Sequence, residues 1–198
     1  QPSVRYSYKN SYETVKTNIL GTANIFEILM GKNKIKSVVM VATDKVYANN
    51  EKKINFKEES PLGGTDIYSA SKACSEILVN AYRNSFFKNT KINIASARSG
   101  NVIGGGDWTL DRIVPDCLAS FSENKKLIIR YPKSIRPWQH VLEPLYGYLL
   151  LAEKLYSPKG VNFAKAWNFG PKKENNTNVY ELAKKLKKVT KSKSKIIN

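Results

Sequence analysis

The order of apolar patterns predicts an α/β fold built on a doubly wound parallel sheet, with a smaller C-terminal lobe. Two observations carry this. Residues 36–43, Lys-Ser-Val-Val-Met-Val-Ala-Thr, and residues 91–97, Lys-Ile-Asn-Ile-Ala-Ser-Ala, are short apolar runs bounded by polar residues. Strands buried on both faces of a parallel sheet read this way. Amphipathic stretches of helical length flank and separate them, as crossover helices would.

In order along the chain, residues 11–30 place Val15, Ile19, Ala23, Phe26 and Leu29 at helical spacing, and Gly31 is a stop signal. The strand at 36–43 follows. Residues 49–65, with Pro61, Gly63 and Gly64, read as a loop. Residues 67–87 form a second amphipathic helix, and 91–97 a second strand. Residues 101–108 are a glycine-rich loop. Beyond it come a helix near 111–122, a strand near 126–130, a helix at 142–156, a strand near 166–169 and a helix at 178–190. The domain expectation is a half over 1–100 that carries the two strands above. Residues 101–198 form mainly a ligand-binding lobe, interleaved with the sheet.

Composition narrows the classes. The chain has 198 residues, 41% of them hydrophobic, a globular profile rather than a disordered one. No apolar run reaches the roughly 18 residues of a membrane span. Cys74 and Cys117 sit in helical patterns and read as buried or half-buried thiols of a cytoplasmic protein. With His140 the single histidine, no metal site is expected. The net charge of +17 comes from scattered lysines and a dense tail, Lys184, Lys185, Lys187, Lys188, Lys191, Lys193 and Lys195. The tail reads as a solvated helix face. A basic surface still attracts an anionic ligand.

Ligands of such sheets bind beyond the carboxyl ends of the strands. Thr43-Asp44-Lys45 follows the first strand. Arg98-Ser99-Gly100-Asn101 follows the second and leads into glycines whose N–H groups could cradle phosphate. Tyr68 and Lys72 stand one helical turn apart. An ammonium there favours the phenolate and lowers a tyrosine pKa from about 10, which makes a base for an alcohol proton. Tyr-x-x-x-Lys also occurs at Tyr12/Lys16 and Tyr180/Lys184. Only Tyr68 opens a helix after a turn-rich loop, and the small Ser69, Ala70 and Ser71 would let a cofactor approach. Arg136 offers a bidentate fork for phosphate. Trp138 reads as core, and His140 taken alone as a structural histidine.

These residues together resemble the extended short-chain dehydrogenase/reductases of the NAD-dependent epimerase/dehydratase family. The carrying stretches are Asn18-Ile-Leu-Gly21-Thr22, Thr43-Asp44-Lys45-Val-Tyr47, Tyr68-Ser-Ala-Ser-Lys72, Arg98 to Val102, Gly100 to Trp108, Ile135 to Pro144 and Trp167 to Pro171. The resemblance runs from Gln1 to about Glu181 and implies a partial Rossmann-like fold with NAD as cofactor. It implies dehydration of a nucleotide-activated hexose, CDP-glucose above others, through C4 oxidation, C5/C6 water loss and hydride return to C6. Thr43, Asp44, Lys45, Tyr68 and Lys72 would be catalytic. Lys45 stands where related enzymes carry a glutamate base, so its pKa would have to be depressed. Thr17, Tyr68, Lys72 and Val102 would lie near the cofactor. Asn101, Arg112, Arg136, His140 and Asn168 would face the substrate. The resemblance further implies a homodimer at full length and no nucleic-acid or membrane partner.

The family's first βαβ unit, with its glycine-rich turn, is expected before Gln1, and Gln1-Pro2-Ser3 resembles the tail of a motif on a later strand. The isolated chain is therefore expected to bind NAD weakly, to expose a sheet edge and to turn over little. Two alternatives stay open. A sugar-nucleotide epimerase would need the Tyr/Lys pair but no Asp44–Lys45 pair. A non-catalytic basic module would need neither.

Overall fold

The computed structural model describes residues 1–32, 34–49, 55–109, 111–172 and 176–197. Positions 50–54 of the expected 49–65 loop lie outside the described residues. The chain divides into two units: residues 1–100 with 145–169, and residues 101–144 with 170–198.

The first unit is built on three parallel strands, β1 (Ser37–Thr43), β2 (Asn93–Ser99) and β7 (Ala166–Phe169), in the order β1-β2-β7. The registers Thr43↔Ser99 and Ser99↔Phe169 bring the carboxyl ends of all three level. Side-chain alternation sends successive residues to opposite faces. On one face Val38, Met40 and Ile94 meet Phe26, Leu29, Val79 and Phe87. These come from helix α3 (Gly21–Leu29), helix α4 (Ile67–Tyr82) and the π-helical turn Arg83–Phe87 that extends α4. On the other face Val39, Ala95 and Ala97 meet Leu151 and Leu155 of α6 (Leu142–Tyr156). Leu155 is fully buried, worth roughly 2–3 kcal/mol of apolar transfer. A Cβ on Gly147 would overlap the Phe169 ring, so glycine lets α6 approach closely.

The helix read at 11–30 is interrupted. It runs as α2 (Ser11–Val15), a π-helical turn (Lys16–Leu20) and α3. Gly31 follows with φ +76°, the left-handed conformation that a glycine takes cheaply. The strand read at 91–97 lies two residues later. Gln1-Pro2-Ser3 leads into α1 (Val4–Lys9): the Ser3 hydroxyl accepts the Tyr6 N–H and caps that helix.

The second unit holds three two-stranded pairs. β3 (Val102–Ile103) pairs in parallel with β6 (Gln139–His140), β4 (Leu127–Ile128) in parallel with β9 (Ile196–Ile197), and β5 (Ile135–Arg136) antiparallel with β8 (Thr177–Asn178). Its core is Cys117, Phe121, Leu127, Ile129 and Ala183, from β4, its flank, α5 (Ile113–Ser122) and α7 (Val179–Val189). Burial pushes the Cys117 thiol up to about 12. The lysines 184, 185 and 188 lie on the exposed face of α7, whose N-terminus Asn178 caps. Among the described residues, no helix is long and apolar enough to cross a membrane.

Candidate active site

At the carboxyl end of β1 the chain turns through a 3-10 helix, Asp44–Val46. The Thr43 hydroxyl makes this turn: it donates to Asp44 Oδ1 at 3.1 Å and accepts the Lys45 N–H at 3.4 Å. Thr43 is buried, Asp44 half-buried and Lys45 exposed. A Cβ on Gly100 would overlap the Asp44 carboxyl group, so glycine at the end of β2 makes room for that acid. The turn carries the Lys45 side chain toward solvent.

Asp66 opens α4, accepting the Ser69 N–H at 3.0 Å and the Ser69 hydroxyl at 2.7 Å. This cap sets Tyr68 in the first turn. Tyr68 is 7% exposed and belongs to none of the four apolar clusters of the described residues. One turn on, Lys72 Nζ donates to the Val41 carbonyl of β1 at 3.2 Å. Desolvation holds the Lys72 ammonium below its ordinary lysine value, with Glu76 opposing. Lys72 thus joins the Tyr68 helix to the strand that delivers Thr43. The other two Tyr-x-x-x-Lys pairs begin at Tyr12, which is 77% exposed, and at Tyr180, which packs on the second unit's core.

The small residues after Tyr68 pack against neighbouring segments. Gly64 sits so close to Ser69 and Ala70 that a Cβ would overlap them. The Ser71 hydroxyl accepts from Asn18 Nδ2 at 2.9 Å, and Ser75 Oγ donates to the Asn18 carbonyl at 2.7 Å. Asn18 lies in the π-helical turn, whose widened spacing frees carbonyls for such bonds. The Asn18–Thr22 stretch is therefore a helix–helix lock. Thr17, its neighbour, is exposed.

Arg98 also departs from its reading as part of a phosphate loop. It lies inside β2, 5% exposed, in a buried ion pair with Glu76 at 2.8 Å. Asn168, read as substrate-facing, is committed internally: Oδ1 accepts from the Tyr47 hydroxyl at 2.5 Å and its N–H donates to Glu58 at 2.9 Å.

Asn101, Val102, Arg112, Arg136 and His140 belong to the second unit. Asn101 has φ +51° and its carbonyl accepts from Gln139 N. Val102 and His140 are strand residues of β3 and β6. Gly104 packs on Val141, where a Cβ would overlap, so part of the glycine-rich loop serves packing. Arg112 pairs with Asp107 at 3.4 Å, whose carboxyl is held low, first by Thr109 and also by this arginine. Arg136 is exposed. His140 is exposed and its Nδ1 accepts the Leu142 N–H, a structural bond. Trp138, read as core, is half-buried and outside the apolar clusters of the described residues; its indole donates to the Thr177 carbonyl at 3.1 Å.

A parallel sheet with a Tyr-x-x-x-Lys helix laid against it, and a hydroxyl–carboxyl–amine turn at its carboxyl end, defines a Rossmann-like protein of the short-chain dehydrogenase/reductase type. The chain belongs to the GDP-mannose 4,6 dehydratase family, which residues 1–197 match. It is 47% identical over 191 residues to CDP-glucose 4,6-dehydratase of Salmonella typhimurium, covering 94% of this chain and 53% of that protein. It is 34% identical over 134 residues to dTDP-D-glucose 4,6-dehydratase of Dictyostelium discoideum, covering 62% and 29%. The chain thus spans about half or less of these relatives. The fold resembles UDP-glucuronic acid 4-epimerase of Bacillus cereus, solved with UDP-glucuronic acid and NAD, at TM-score 0.83, 21% identity and 98% and 58% coverage. It also resembles dTDP-glucose 4,6-dehydratase of Streptomyces venezuelae, solved with NAD, at TM-score 0.79, 19% identity and 100% and 59% coverage.

Proposed function

We propose that the protein to which this chain belongs dehydrates a nucleotide hexose, CDP-glucose to CDP-4-keto-6-deoxyglucose, with NAD as cofactor. The observation that carries the reading is the junction of two groups in one unit. The Tyr68/Lys72 helix is bonded to β1, and β1 ends in Thr43-Asp44-Lys45.

The residues fit the nicotinamide end of the cofactor. A lysine ammonium has three donors, so Lys72, bonded to one carbonyl, keeps capacity for ribose hydroxyls. When bound, NAD supplies hydride acceptance at sugar C4 and hydride return at C6. Tyr68 takes the C4 hydroxyl proton, helped by the adjacent cation of Lys72. The Thr43 hydroxyl exchanges its bond to Asp44 for one to the same sugar oxygen. The 4-keto group then acidifies C5–H. Asp44 protonates the departing C6 hydroxyl, which leaves as water, and Lys45 removes the C5 proton and gives it back to C5 when C6 is reduced. A sugar ring lying over the turn would desolvate Lys45, and desolvation favours the neutral amine that a base requires.

On this reading Arg136 and Asn101, with Arg112 a weaker candidate, bind the substrate diphosphate, Val102 lies near the cofactor, and the ligand-binding lobe comes from residues 101–144 and 170–198, with 145–169 belonging to the sheet unit. The enzyme acts in the cytoplasm as a homodimer. Incubation of the full-length gene product with NAD and CDP-glucose tests this. A 4-keto sugar, seen by its absorbance in base, is expected; formation of the C4 epimer alone would reject the reading.

A further inference from the structure

One polar network in the first unit has no part in the chemistry above. Arg98 Nη2 meets Glu76 Oε2 at 2.8 Å, and Nη1 donates to the Tyr47 hydroxyl at 2.9 Å and to the Glu58 carbonyl at 3.0 Å. Tyr47 in turn donates to Asn168 Oδ1. Arg98, Glu76 and Tyr47 are 5%, 4% and 4% exposed. The guanidinium also lies over the Tyr47 ring, 5.2 Å from its centre, and that ring stacks on Phe56 at 4.9 Å.

This network is poorly arranged for stability alone. Glu76 Oε1 and Arg98 Nε are buried without a hydrogen-bond partner among the described residues. A buried pair with unsatisfied atoms gains little over apolar packing of the same volume. Its location gives it another use. Tyr68, Lys72 and Glu76 recur at every fourth residue of α4, along one face of the helix. Tyr47 closes the turn that Thr43, Asp44 and Lys45 open. Its hydroxyl is therefore the point at which the α4 anchor grips the far side of that turn. The backbone reinforces the grip: Ala48 N donates to the Pro61 carbonyl and Gly63 N to the Val46 carbonyl.

We infer that Arg98 and Tyr47 are positioning residues, which hold Asp44 and Lys45 in register with Tyr68 and Lys72 through the chain Glu76–Arg98–Tyr47. The inference rests on the dehydratase reading. Elimination needs acid and base placed against a sugar whose C4 is fixed by Tyr68, and misplacement by an ångström costs rate more than affinity.

Tyr47→Phe removes the hydroxyl and keeps the stacked ring. In the full-length protein, kcat for CDP-glucose falls about tenfold while KM stays within about twofold. Amide exchange at Ala48 and Gly63 speeds up, with exchange at Ala95 and Ala97 of β2 unchanged. Arg98→Lys keeps a cation for Glu76 but lacks the fork, so it gives the same split and the same exchange pattern. Unchanged kcat in Tyr47→Phe, or faster exchange across the whole sheet, overturns the inference. If the wild-type protein leaves CDP-glucose unchanged, the proposed function fails instead. The exchange pattern then still decides whether Tyr47 holds the turn.

Discussion

Arg98 and Arg136 look alike in the sequence, each an arginine in an unusual stretch near a strand, yet their surroundings are opposite. Arg98 is sealed within β2 against Glu76 and Tyr47. Arg136 is exposed on a two-residue strand of the second unit. The first unit rests on a sheet packed on both faces, where a charge persists only if its partners are built in. The second unit rests on three short strand pairs and leaves its cations accessible. On the proposals above, the two arginines serve different ends: Arg98 fixes geometry and Arg136 meets an anion.

The largest expected effect sharpens this contrast by marking what a reacting group does. Tyr68→Phe in the full-length enzyme lowers turnover by about a thousandfold, while KM changes little. A steady-state assay with CDP-glucose checks it. Next, Arg98→Met leaves Glu76 buried and unpaired and costs about 3–5 kcal/mol in urea unfolding. Adding Glu76→Leu restores most of that loss. A stable Arg98→Met single variant would break the contrast.

Smaller still, Arg136→Met raises KM about tenfold through loss of a charge-assisted bond to the diphosphate, and leaves the unfolding midpoint unchanged. Lys72 gives the smallest effect, a pH-dependent one. Its folded pKa lies below the unfolded value because of desolvation. Between those two values the unfolded chain binds the extra proton, so stability rises with pH. Lys72→Met is accordingly more stable than the wild type at neutral pH. The gap closes as pH climbs toward the ordinary lysine value, which denaturation at several pH values measures.

Much of the fold was legible because its signals are local. The run Val38–Val41 and the spacing of Phe26 and Leu29 reflect burial faces that any parallel sheet with crossover helices imposes. Of the candidate site, Tyr68/Lys72 and Thr43-Asp44-Lys45 stand out in the sequence by residue type, and the structure joins them through the Lys72 bond to β1. The remainder depends on partners distant in sequence. Glu76 is bound to Arg98, 22 residues away, and nothing local marks it as buried. A carboxylate in step with Tyr68 and Lys72 on α4 was the available signal. Asn168 was read as a ligand contact because Tyr47, 121 residues earlier, could not be seen to occupy it. The small residues after Tyr68 suit a cofactor or a helix equally well in the sequence, and the bond of Ser71 to Asn18, 53 residues earlier, has no local signal. The short strands β5, β6, β8 and β9 are two residues each, too short for alternation to show.

The central claim is that hydride leaves C4 and returns at C6 of the same sugar, which no epimerisation does. CDP-glucose carrying deuterium at C4, incubated with the full-length protein and NAD, tests this most directly. The account predicts deuterium on the C6 methyl group of a 4-keto-6-deoxy product. Deuterium retained at C4, in either configuration, would contradict it.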